Sequence, residues 1–133
     1  TVTAAAVQAS TARSGSWRTD GTAGYRAYQG HSTSGQSADN TGYWFYGQAL
    51  ARGGVAVSGS VRLYRATGAG MSAARTVWLA LHGAATRPSS PPALTTQPRA
   101  AGTVAQGGTV DIALTSAEVS ALLSGAARGI AVS

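Results

Sequence analysis

The chain has no cysteine and no lysine, and its 133 residues include only four carboxylates, two histidines, one asparagine, one phenylalanine and one methionine. Each shortage removes a class of chemistry. Without cysteine there is neither a disulfide frame nor a thiolate metal site, and the redox compartment is left open. General acid–base work on glycosides or peptides needs paired carboxylates, or a histidine with an orienting partner. The whole supply here is Asp20, Asp39, Asp111 and Glu118, with His31 in a polar stretch and His82 beside Gly83. Two isolated histidines do not make a tetrahedral zinc site. Neither GxSxG, nor a P-loop, nor GxGxxG after a strand occurs. The expectation is a protein that is not an enzyme, with no catalytic residue, no metal and no cofactor.

Bulky aliphatic side chains are scarce as well. The hydrophobic fraction is 44%, but 28 of those residues are Ala, against 10 Val, 8 Leu and 2 Ile. So thin a core favours two packed sheets over a helical bundle, and 18 Gly with abundant Ser and Thr point to short strands and many turns. At this length the chain is expected to form one domain, residues 1–133, with residues 1–14 as a docking strand or arm. The ten basic residues are all Arg, which fits a GC-rich coding sequence, and they are spread along the chain. The net charge of +6 comes from scarce acids more than from a basic patch, so no nucleic-acid partner is expected. The longest apolar runs are short and broken by Gly, with no membrane span or signal segment among them. The chain begins with Thr, as a processed product or an excised piece of a longer protein would.

What the chain does have is a concentration of aromatics. Seven of its nine fall in residues 17–46: Trp17, Tyr25, Tyr28, Tyr43, Trp44, Phe45 and Tyr46. Alternation predicts strands over 25–29 and 41–50, the second with Tyr43 and Phe45 on one face and Trp44 and Tyr46 on the other. The polar run 31–40 between them reads as a surface loop. Further strands are expected over 55–66, with a kink at Gly59, and over 76–82, where Val77, Leu79 and Leu81 oppose Thr76, Trp78, Ala80 and His82. Residues 86–108 hold all four prolines and read as a long crossing loop. Val110, Ile112 and Leu114 then alternate. Thr115 and Glu118 fit a capping box ahead of Val119, Leu122 and Leu123, with Gly125 as the stop. A last strand over 129–133 places Ile130 and Val132 inward. The fold class expected is an all-β antiparallel sandwich, jelly-roll-like, of about eight strands with one short helix near residues 116–123.

Exposed Trp and Tyr rings on a sandwich can stack on sugars. Trp17, Tyr28, Trp44, Tyr46 and Trp78 are the candidate glycan or partner contacts, each weighed against a place in the core. The blocks GSWR, YRAYQG, TGYWFYG, VSGSVRLYR, RTVWLALH, RPSSPP and ALLSGAARGIAV, spanning residues 15–132, resemble the β-sandwich module of minor tail and tail-fibre proteins of phages that infect high-GC Gram-positive bacteria. The resemblance implies a virion structural protein, in the tail or as a capsid appendage or decoration. It implies assembly with other virion proteins, attachment to a host cell-surface glycan, and no catalytic residue. No coiled-coil stalk or collagen-like repeat of a full fibre is present. A homo-oligomer is expected, a trimer first, with no membrane insertion. The alternative is a carbohydrate-binding module of a secreted bacterial protein.

Overall fold

The computed structural model describes residues 2–18, 27, 29–32, 38–67 and 73–133. In chain order its elements are β1 (Gln8–Arg13), β2 (Ser16–Trp17), β3 (Gly30–Ser32), β4 (Ala38–Phe45), β5 (Ser60–Tyr64), β6 (Arg75–His82), β7 (Arg99–Val104), β8 (Thr109–Ala113), α1 (Ser116–Ser124) and β9 (Gly129–Val132). The protein is an all-β, sandwich-like fold of two antiparallel sheets with one short helix. The larger sheet runs β2-β1-β4-β9-β6-β7, with β3 pairing the first part of β4, and the smaller is β5-β8. The chain passes from β4 to β5, back to β6, out again from β7 to β8, and returns through α1 to β9 between β4 and β6.

The seven-and-two division makes sense once the faces are followed. Cross-strand partners share a face, so Trp44, Ile130 and Leu81 lie side by side, as do Val132 and Leu79. With Val77 and Val104 they meet Ile112 of β8 and Leu122 of α1 in the main core. The helix therefore supplies cover that the two-stranded sheet is too narrow to give. The other face of the large sheet carries a second, smaller cluster of Ala12, Tyr43, Phe45 and Ala131, with Trp17 and Ala84 packed on it. The central strands are thus buried on both faces, and all four residues of β9 are buried.

Several expectations are corrected by that burial. Within residues 1–14, expected as a docking strand or arm, β1 is an inner strand between β2 and β4. Its Ala9, Ser10, Thr11 and Ala12 are buried in succession. Small side chains fit a strand covered on both sides and leave no alternation to read. Of the loop expected over 31–40, residues 31–32 and 38–40 are strand, pairing 30–32 with 38–40, and residues 33–37 lie outside the described residues. The strand expected over 25–29 falls mostly outside the described residues. That expected over 55–66 is paired only from Ser60 to Tyr64. The long loop expected over 86–108 contains β7, which begins just after Pro98 and pairs with β6 through an irregularity at Val77/Trp78. The prolines end at residue 98, and the Ala- and Gly-rich run after them is free to donate its amides to β6.

The C-terminal reading holds in detail. Thr115 accepts from the Glu118 amide at 3.2 Å while the Glu118 carboxylate accepts from the Thr115 amide at 2.9 Å, which closes the capping box. The helix ends at Gly125, whose φ of 82° is open to glycine at little steric cost.

Candidate functional site

Two of the chain's few acid and imidazole groups, His82 and Glu118, are buried in the fold. His82 ends β6 fully buried, its ring against Tyr43 and Phe45 at centroid distances of 5.6 and 4.9 Å. Its Nδ1 accepts the Ala84 amide at 3.2 Å, so the proton sits on Nε2, which donates to the Trp44 carbonyl at 3.0 Å. Burial pushes the imidazole pKa below its ordinary value, against the smaller opposing pull of the Trp44 and Ile130 carbonyls. The ring is therefore a neutral cross-strand tie between β6 and β4, spanning β9. The strand it spans carries Gly129 beneath the ring, and a Cβ there would overlap the Trp44 oxygen and the imidazole.

Glu118 is buried and serves two ends. Besides capping α1, it receives a two-pronged contact from Arg99, at 2.7 and 2.8 Å. Arg99 also donates to the Ala113 carbonyl at 2.9 Å, so one guanidinium joins β7, the end of β8 and α1. The Arg99 contact, ahead of the cap, holds the Glu118 carboxyl below the usual carboxylate range. Asp111 forms a second fork with Arg62 at 2.7 and 3.0 Å on the exposed side of the small sheet. The Arg62 guanidinium likewise lowers its pKa. Sequence reasoning placed Glu118 in the cap. It missed both Arg partners, which lie 19 and 49 residues away and leave no local signal.

The aromatic candidates are not gathered into one surface. Trp17 lies edge-on to Tyr43 at 5.3 Å and to Phe45 at 6.2 Å. Its indole N–H donates to the Pro88 carbonyl at 2.9 Å, and Arg87 lies over the ring at 5.1 Å. Trp44 and Tyr46 pack on the opposite face, against the main core, and burial raises the Tyr46 pKa. Tyr28 is outside the described residues. Trp78 stands apart: it is 46% exposed on the face shared by Ala80 and Ala100.

Among the described residues there is no cluster of three metal-ligating side chains, no buried side-chain nitrogen or oxygen without a partner, and no helix long and apolar enough to cross a membrane. A broad groove of about 1040 Å³ opens beside the small sheet, with Tyr46, Leu50, Val119 and Leu123 in its wall and residues 52–59 along its rim. Neither a family model, nor a curated protein, nor a solved structure matches this chain, so the functional reading rests on the chain's own residues.

Proposed function

We propose that this protein is a non-enzymatic structural module of a virion, a minor tail, tail-fibre or capsid-appendage component that acts by self-assembly and host-surface attachment. The observation that carries the reading is where the ionisable groups go. His82, Glu118 and Asp111 are each bound to backbone or Arg partners that join elements of the fold. Large apolar and aromatic side chains, among them Val55, Val57, Tyr64 and Trp78, stand exposed on the surface beside the arginines. Side chains of that kind serve contact between proteins. Quantitative mass spectrometry of density-purified particles tests the proposal. The chain is expected at fixed stoichiometry with the major structural proteins, and its absence from intact particles refutes the virion assignment.

The carbohydrate-binding alternative has one observation in its favour, the exposed Trp78 indole on a shelf of small residues. Sugar stacking there predicts that Trp78→Ala abolishes glycan retention with the fold intact. Equal retention by the variant and the parent removes that reading.

A further inference from the structure

Residues 46–52, YGQALAR, leave β4 as a run of tight turns. They are closed by bonds from the Ala49 amide to the Tyr46 carbonyl, from Ala51 to Gln48 and from Arg52 to Leu50. This winding brings Tyr46, Leu50 and Arg52 to the groove of about 1040 Å³ beside the small sheet, which all three line. The chain then turns through Gly53 and Gly54, at φ of 70° and 80°, into a strap of residues 53–59. The strap is tied at both ends. The Gly53 amide donates to the Leu123 carbonyl at 2.7 Å, and the Leu114 amide donates to the Gly59 carbonyl at 2.9 Å. At the second tie Gly59 lies on α1, where a Cβ would come within 2.9 Å of Val119 Cγ2. Between the ties residues 54–58 are all exposed, and the groove is walled by them on one side and by α1 on the other.

The groove is apolar along its floor and charged at one point. Leu122 and Ile130 of the main core form the floor together with Leu123. Of the charged side chains that line it, Arg62 and Asp111 neutralise each other in their fork. Arg52 has no such counterion: its Nε donates to the Ala49 carbonyl at 3.1 Å, and among the described residues its side chain makes no other bond. The Tyr46 hydroxyl also has no protein partner among the described residues. Since no buried polar side-chain atom there is left orphaned, that hydroxyl meets the water of the groove. Burial raises the Tyr46 pKa and so keeps the group a donor. One turn therefore carries a cation and a hydroxyl donor beside an apolar floor.

That combination selects among occupants. A sugar needs several converging polar groups, and an acidic peptide needs several cations. One alkyl chain ending in one anion matches the count of each, and the net charge of +6 draws an anion in from a distance. The volume lies at the top of the ~300–1,000 Å³ range of small-molecule sites, so a chain enters without displacing the core. We propose that the groove binds an amphipathic anion, a single alkyl chain laid along Leu50, Leu122, Leu123 and Ile130 with its carboxylate or phosphate head on Arg52 and the Tyr46 hydroxyl. The inference goes beyond the virion reading and is independent of it, because binding is a property of the isolated chain.

Isothermal titration with decanoate, laurate and myristate, each below its micelle concentration, tests the proposal. One ligand is expected per chain, and each added pair of methylenes should tighten binding by roughly tenfold as they leave water along the floor. Dodecyltrimethylammonium, with the chain of laurate and a cationic head, should bind about tenfold more weakly than laurate. Arg52→Ala should remove that preference and weaken laurate by about tenfold, with far-UV circular dichroism and Tm unchanged because the residue is exposed. Dodecyl phosphate run beside laurate separates the two head groups, the tighter binder naming the one the site prefers. Amide shift changes on adding laurate should fall in residues 46–52 and 119–123. Affinity independent of chain length, uptake that does not saturate at one ligand, or shifts centred on Trp78 overturn the site. Equal binding of anion and cation by the parent chain, or an anion preference that survives Arg52→Ala, overturns the role of Arg52.

Discussion

Gly129→Ala tests how the two faces of the large sheet are tied together. Gly129 lies opposite Phe45 on one side and His82 on the other. A methyl group there overlaps two fixed objects, the Trp44 carbonyl oxygen and the imidazole of His82. The first is backbone, and the second is a fully buried ring packed on Tyr43 and Phe45. Forcing a methylene-sized group into a packed core costs about 1–3 kcal/mol. Displacing the ring also removes the His82–Trp44 hydrogen bond, about 1 kcal/mol more. The expected loss is on the order of 2–4 kcal/mol, which lowers Tm by roughly 10–15 °C for a domain of this size. The same substitution has a pH signature. In the parent protein burial depresses the His82 pKa, so below about 6.5 the unfolded chain binds a proton that the folded one refuses. Stability is then complete above that pH and falls as pH drops, by at most about 1.4 kcal/mol per unit. Once pushed toward water, the imidazole titrates nearer its ordinary value and the slope between pH 6.5 and 5 flattens. Thermal melts over that range, with NMR titration of the His82 Hε1 proton, read both effects. A Tm within about 2 °C of the parent and an unchanged slope would refute the packing argument.

Glu118→Gln keeps an acceptor for the Thr115 amide but removes the charge facing Arg99. It should cost about 1–2 kcal/mol by chemical denaturation. Because the Glu118 pKa is lowered, its contribution is present above the ordinary carboxylate range and lost as pH falls through the depressed value, so the variant should show a shallower acid limb. Phe45→Ala, at a site with no exposed surface, should cost about 3–5 kcal/mol, and Trp44→Ala should approach it. Trp78→Ala should cost under about 1 kcal/mol. Near-equal losses at Phe45 and Trp44 in urea titrations would mark both rings as core. Asp111→Asn, in a fully exposed pair, should leave Tm unchanged at physiological salt.

How much of this was legible in the sequence depended on whether a strand shows one face to solvent. The strand β6 could be read because Thr76 and Trp78 are exposed while Val77 and Leu79 are buried, so period two survives in the residue types. The end of the chain was legible because the capping box and its glycine stop are local, complete within residues 115–125. By contrast, β1 is covered on both faces and its Ala, Ser and Thr carry no alternation, whereas β9, just as buried, stayed legible through the alternating Ile130 and Val132. The strand β7 was masked by the prolines just before it. The ties made by His82 and Arg99 join residues far apart in sequence, and composition shows only that the groups exist. Gly129 held the nearest thing to a signal, a glycine inside an apolar strand, which commonly marks a close approach.

The aromatic segment shows why a cluster in sequence need not be a surface in space. Four consecutive rings, Tyr43 to Tyr46, alternate along and just beyond β4, so they divide between two faces whatever their number. A sugar platform would need the rings of one face left bare. Here both faces are used: Trp44 and Tyr46 toward the small sheet and α1, Tyr43 and Phe45 under Trp17. In a chain with only ten Leu and Ile, those rings do the packing that aliphatic residues do elsewhere. Bare apolar surface appears instead where cover runs out, at Trp78 near the β7 edge and at the Val55–Val57 strap beyond the end of β8. The rings of Trp17 and of residues 43–46 account for the packing of the large sheet.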